Sequence, residues 1–170
     1  TYLGEEAFSC CDLKSLKLSE SLSAIEEGTF SETSLSELYI PDSVSVIKDS
    51  AFYRCKELER IRGAKGLKYI GSKAFAETRI AYEKCIPEST VSIGDFAFDA
   101  LRFKYEGKNY EEHHFPPTKV YIPRNVSIIE ANAFGLGVKT ITVDKDNQKY
   151  SAKNGVLFDK EGKTLIKYPP

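Results

Sequence analysis

The chain has 170 residues, with 24 basic against 25 acidic side chains and a formal net charge of −1. That balance excludes a dedicated nucleic-acid binder, which needs surplus Lys and Arg to displace counterions, and it excludes a polybasic membrane anchor. No apolar run approaches the roughly 18 residues that span a bilayer, and charged residues at 29% with aromatics at 12% fit a soluble, folded protein.

The chain contains no Met. Thr1 is therefore not an initiator residue, and the chain reads as a processed protein or an excised fragment. Its first repeat, beginning at TYLGEEAF, reads as truncated, with the array expected to extend further N-terminally.

The first organising feature is a repeat. Phe8, Phe30, Phe52, Phe75 and Phe98 recur every 22 or 23 residues, and Phe134 follows after 36. Ala stands before each of them except Phe30, which follows Thr29. Five residues before each Phe lies an aliphatic: Leu3, Ile25, Ile47, Ile70, Ile93 and Ile129. Leu22, Val44, Leu67 and Val126 lie three residues earlier again, with Thr90 as a weak member.

Between the Phe residues runs an LxxLxL pattern: Leu13-Leu16-Leu18, Leu35-Leu38-Ile40, Leu58-Ile61-Gly63 and Val138-Ile141-Val143. The spacing predicts a turn leading into a short strand with alternate residues inward. Pro41, Pro87 and Pro123 stop the ladder, because proline has no N–H to donate. The IxxxAF segment predicts one helical or 3₁₀ turn, capped by Asp49, Ser72 or Asp95. A unit of 22 or 23 residues cannot bury both its strand and its Phe alone. Stacked copies can, with strands pairing in parallel about 4.8 Å apart. Each Phe is then expected to pack on the Phe above and below.

The segment LRFKYEGKNYEEHHFPP (101–117) breaks the phase and reads as an inserted hairpin turning at Glu106–Asn109. At the C-terminus, Val156-Leu157-Phe158, a turn at Asp159–Lys163 and Leu165-Ile166 read as a second hairpin. Such a hairpin would cover the open apolar end of the stack.

LSELYIPDSVSVIKDSAFYRCKEL (35–58), IPESTVSIGDFAF (86–98) and IPRNVSIIEANAF (122–134) resemble the BspA-type leucine-rich repeat family, also called the Treponema pallidum type. The resemblance implies an α/β solenoid. It would be a right-handed superhelix with a parallel concave sheet, short helical or 3₁₀ turns on the convex side and a β-hairpin cap. The array would occupy 1–143 and the capping unit 144–170. Members of the family are mostly bacterial or protist surface and secreted proteins, which implies adhesion or partner binding and an extracellular or cell-surface location. Three departures stand out: Gly63 and Lys84 at inward positions, and the unphased 100–117.

Function is expected on the outward strand residues. One row is Lys17, Tyr39, Arg62, Cys85, Tyr121 and Thr142; the other is Ser15, Glu37, Arg60, Glu83, Lys119 and Thr140. The second alternates in charge and reads as a surface ladder, worth about 0.2–1 kcal/mol per opposite pair. The candidate partner-binding residues are Lys17, Tyr39, Arg62 and Tyr121 on the sheet, with Phe103, Tyr105 and Tyr110 on the insertion. Tyr and Arg are the types that dominate binding hot spots. The bland counterparts are a self-satisfied ladder and aromatics packed on the solenoid.

Glu111, Glu112, His113 and His114 make a poor chelating set, because neighbours in an extended segment face opposite ways. No nucleophile elbow or phosphate loop appears, so neither a catalytic residue nor a cofactor is expected. Cys11 and Cys55 lie two repeats apart, about 10 Å by stacking, beyond disulfide reach. Cys85 is expected to be an exposed thiol. The reading is a non-enzymatic protein-binding module with a protein partner, such as a host matrix component. A carbohydrate-binding module and a passive spacer are the alternatives.

Overall fold

Six phenylalanines at equivalent repeat positions form one continuous stack in the structure, a computed structural model describing residues 2–80, 85–99, 119–135 and 138–168. Ring centroids are 5.5 Å apart for Phe8–Phe30, 5.3 Å for Phe30–Phe52, 5.2 Å for Phe52–Phe75 and 5.5 Å for Phe75–Phe98. Interplanar angles never exceed 17°. Phe98 and Phe134 are 6.2 Å apart although 36 residues separate them in sequence. The repeat phase is therefore kept across the long interval. Each such pair adds about 0.5–1.5 kcal/mol to the burial of the rings themselves.

Around this column the inward aliphatics build two kinds of parallel ladder. The two-residue strands β1 (Ala24–Ile25), β3 (Val46–Ile47), β5 (Tyr69–Ile70), β6 (Ser92–Ile93) and β8 (Ile128–Ile129) form one five-stranded sheet in the order β1-β3-β5-β6-β8. Its pairing puts Ile25, Ile47, Ile70, Ile93 and Ile129 in a single row facing the core. On another side, β2 (Glu37–Ile40) pairs with β4 (Arg60–Gly63), and β7 (Lys119–Ile122) pairs with β9 (Thr140–Val143). Period-2 alternation buries Leu38, Ile40, Val120, Ile122 and Ile141 while their neighbours face outward. Residues 81–84, which hold Glu83 and Lys84, lie outside the described residues.

The convex turns differ from expectation. Among the described residues there is no helix; the IxxxAF segments are chains of reverse turns. The reason is where their amides go. Residues two before, at and two after Phe8, Phe30, Phe52 and Phe75 donate N–H to the next repeat: Gly28 to Asp49, Phe30 to Ala51 and Glu32 to Tyr53 in one, Ser50 to Ser72, Phe52 to Ala74 and Arg54 to Ala76 in the next. A helical turn would spend those amides on its own carbonyls. Aiming them outward puts Ser50, Arg54, Lys73 and Glu77 at φ between 54° and 57°. Each left-handed L-residue costs about 1–2 kcal/mol, which the inter-repeat hydrogen bonds and the Phe column offset. The supposed caps also act across repeats. Asp49 Oδ1 accepts from Ser72 N at 2.8 Å, and Asp95 Oδ1 accepts from Asn132 N at 3.0 Å.

The C-terminal unit has three antiparallel strands rather than two: β10 (Tyr150–Lys153), β11 (Val156–Asp159) and β12 (Leu165–Lys167). Leu157 is fully buried in the core cluster, and Gly155 accepts a hydrogen bond from Ile141 of β9. Asn147 joins this unit to the array. Its Nδ2 donates to Pro123 and Val126 carbonyls at 2.8 and 2.9 Å, and its Oδ1 accepts from Lys149 and Tyr150 amides at 2.8 Å each. Tyr150 Oη accepts from Ile129 N and donates to Ser127 O.

Candidate functional site

The outward rows align as the repeat register requires. Glu37 pairs with Arg60 and Tyr39 with Arg62 between β2 and β4; Lys119 pairs with Thr140 and Tyr121 with Thr142 between β7 and β9. Parallel strands of one repeat length hold each residue beside its counterpart, so sequence phase becomes spatial adjacency.

The side chains depart from the row picture in three ways. Glu37 reaches diagonally to Arg62, 3.4 Å away, instead of pairing with Arg60 in its own row. Both partners are more than half exposed, so the pair is worth at most about 1 kcal/mol. It draws the guanidinium toward Glu37, on the strand that also carries Tyr39. Tyr39 is 50% exposed and lies over Gly63. A Cβ at Gly63 would sit 2.2 Å from the Ile40 carbonyl and 3.0 Å from the Tyr39 ring. Gly63 also has φ 77°. The departure from the aliphatic pattern at this position thus has a physical reason: only glycine admits both the backbone approach and the ring.

Tyr121 is half-buried, and its hydroxyl donates to Asp144 Oδ2 at 2.5 Å. That hydrogen bond, with burial and the nearby Glu88 adding to it, pushes the Tyr121 phenol up to about 12. The same bond holds the Asp144 carboxyl below its ordinary value. Tyr121 therefore offers a ring edge and a committed hydroxyl.

Lys17 is exposed, but residues 12–19 form no strand, so the structure does not bring it into the ladder. Phe103, Tyr105 and Tyr110, with His113 and His114, lie outside the described residues. What the structure does bring together is Tyr39, Arg62 and Glu37 over Gly63. Glu37 and Gly63 escaped sequence reasoning as members of this group. The available signal was the diagonal neighbour one row across, which row-by-row alignment passes over.

The cysteines take separate environments. Cys10 and Cys11 are exposed thiols and form no vicinal bridge. Cys55 is buried, its thiol donating to the Phe30 carbonyl at 2.9 Å, and burial raises its pKa. Cys85 is half-buried rather than open, and desolvation pushes its thiol up to about 12. Among the described residues no three His, Cys, Asp or Glu side chains converge as metal ligands. No helix there is long and apolar enough to cross a membrane.

Comparison with known proteins agrees with this geometry. The BspA type leucine rich repeat region, in six copies, matches residues 1–104. A leucine-rich repeat protein from Eubacterium ventriosum superposes with a TM-score of 0.70 at 24% identity, covering 86% of this chain and 36% of its own. The pneumococcal vaccine antigen PcpA gives a TM-score of 0.54 at 23% identity, covering 97% of this chain and 33% of its own. At these identities the likeness is one of fold, and the chain spans about a third of either structure. No curated protein is significantly similar in sequence.

Proposed function

Since the chain belongs to the BspA-type leucine-rich repeat family, we propose that it is a non-catalytic protein-binding module of a bacterial surface or secreted protein, with an adhesive or partner-binding role. The observation that carries this reading is the Tyr39–Arg62–Glu37 group, an exposed aromatic and an ion-paired arginine at register-paired positions of adjacent strands. Rigid strands remove most of the ordering cost that a flexible loop would pay on binding. Tyr and Arg contribute most of the energy in typical interfaces. The half-exposed Tyr121, with its hydroxyl held by Asp144, extends the same outward row toward β9. The 144–170 unit serves as the end cap, its Asn147 and Leu157 filling polar and apolar positions that the last coil leaves open. The surface location draws on the name of a structural neighbour, a vaccine antigen.

The test is a solid-phase binding assay against extracellular-matrix proteins beside a glycan array, with wild type and a Tyr39→Ala/Arg62→Ala variant. Binding to a matrix protein that the variant loses supports the proposal. Binding retained in full by the variant removes the ladder face from it. Glycan hits without any protein hit favour the carbohydrate-binding alternative.

A further inference from the structure

The turn that joins β10 to β11 is Asn154–Gly155, with φ 52° at Asn154 and φ 82° at Gly155. A two-residue hairpin loop with positive φ at both positions favours Asn-Gly over other pairs. The antiparallel register runs unbroken up to it, with Lys153 opposite Val156. The tip of this turn rests on the array. Gly155 O accepts from Ile141 N at 2.9 Å, and a Cβ at Gly155 would stand 3.2 Å from Thr140 Cγ2.

The same pair sets a nucleophile beside an electrophile. The Asn154 side chain is exposed, and its amide has no hydrogen-bond partner among the described residues. The Gly155 N–H is not donated to any described group either. Glycine has no Cβ, so nothing shields its nitrogen from the neighbouring side-chain carbon, and its backbone moves freely when the turn opens. The other described asparagines lack this combination. Asn125 precedes Val126 and donates its Nδ2 to Glu88 O at 2.7 Å. Asn132 precedes Ala133, whose N–H is held by Glu130 O at 3.1 Å. Asn147 precedes Gln148, and its buried amide is hydrogen-bonded at both ends.

We propose that Asn154 is a modification site, where the protein deamidates spontaneously. A bond forms between Gly155 N and Asn154 Cγ. The Cγ–Nδ2 bond breaks, and the nitrogen leaves as ammonia with the proton that Gly155 N gives up. Water then opens the five-membered succinimide. Cleavage at Cγ gives aspartate, and cleavage at the main-chain carbonyl gives isoaspartate, whose backbone runs through Cβ. Water is the only co-reactant, and no electrons change hands. Either product adds one negative charge. Isoaspartate also puts an extra backbone atom into a two-residue turn. That atom displaces Gly155 O from Ile141 N and lifts the tip off Thr140. The C-terminal cap therefore loosens with age, while the Phe column, which shares none of these contacts, is untouched. The Tyr39–Arg62 group takes no part, so this proposal and the binding role can fail independently.

The test holds the folded protein in mildly alkaline buffer and samples it over days. Peptide mass spectrometry locates amide-to-acid exchange, and isoaspartyl methyltransferase labelling identifies isoaspartate. Position 154 is expected to convert at least tenfold faster than any other asparagine, with isoaspartate as the main product. Asn154→Gln should not convert on this timescale, since its longer side chain would have to close a six-membered ring. In the aged wild type, hydrogen exchange should show protection lost at Ile141 and in β10–β11 but kept around Phe52. Asn154→Asp carries the charge without the extra atom and should keep protection throughout. Faster conversion at another asparagine, or conversion of Asn154→Gln at the wild-type rate, would overturn the site. Full protection in isoaspartate-bearing protein, or equal loss in Asn154→Asp, would overturn the backbone argument for the cap.

Discussion

Thr90→Val should stabilise the protein. Thr90 occupies the position held elsewhere by Leu22, Val44, Leu67 and Val126, all at most 2% exposed. Its own exposure is 0%, and among the described residues its Oγ1 has no hydrogen-bond partner. A buried hydroxyl without a partner costs about 1–3 kcal/mol, and valine keeps the shape while removing that cost. The expected gain is therefore about 1–3 kcal/mol. The internal control is the same substitution at Thr33 and Thr78. These hydroxyls are also buried but donate to the Phe30 and Phe75 carbonyls at 2.9 and 2.8 Å. Losing those bonds should cost about 1 kcal/mol each. Urea denaturation followed by far-UV circular dichroism reads all three, since the chain has no Trp for fluorescence. The midpoint should rise for Thr90→Val and fall for the other two, at constant m-value. A fall for Thr90→Val, or the same sign for all three, would refute the reasoning from hydrogen-bond satisfaction.

Phe52→Ala should cost about 3–5 kcal/mol as a core truncation, and Phe52→Leu a smaller amount centred on the two lost ring stacks, about 1 kcal/mol each; equal effects in a denaturant series would show that the column of rings contributes only buried area. Asn147→Ala leaves the Val126 carbonyl and the Lys149 and Tyr150 amides without their partner, while the Pro123 carbonyl keeps Val126 N; the buried Val126 carbonyl alone costs about 1–3 kcal/mol. Hydrogen exchange should then show protection lost first in β10–β12, and uniform loss along the chain would contradict that placement. Tyr121 should ionise near 12 against an ordinary 10.0, and Asp144→Asn should bring its tyrosinate absorbance change down toward the usual range. The folded phenol holds its proton more tightly than the unfolded one, so its contribution to stability is complete below pH 10 and is lost as pH rises toward 12.

Much of this architecture was legible because a solenoid converts sequence phase into space. The pairings Glu37 with Arg60 and Tyr39 with Arg62 follow from counting residues between Phe30 and Phe75. The same count carried across the 36-residue interval, where Ser92 pairs with Ile128 and Phe98 stacks on Phe134. The candidate site was less legible. Row alignment names neighbours along a strand ladder, but Glu37 chose a diagonal partner because its long side chain reaches across rows. Nothing in the residue types at Tyr121 and Asp144 announced that one hydroxyl would be held by a carboxylate 23 positions later. Lys17 shows the opposite limit: correct phase did not place it on a strand.

The balance of charge at −1 and the Phe period belong to the sequence alone. So do the stacking register and the inward aliphatics, since each is a matter of spacing. Tertiary structure decided what the convex turns became. IxxxAF reads locally as a helical turn, yet the N–H groups of Ser50, Phe52 and Arg54 bond to the next repeat instead. It also decided that Gly63, Gly71 and Gly94 would stand where the neighbouring repeat leaves no room for a Cβ. In both cases the physical reason is the same. The competing partner lies one repeat away, and its distance is set by the stack rather than by any residue within the turn.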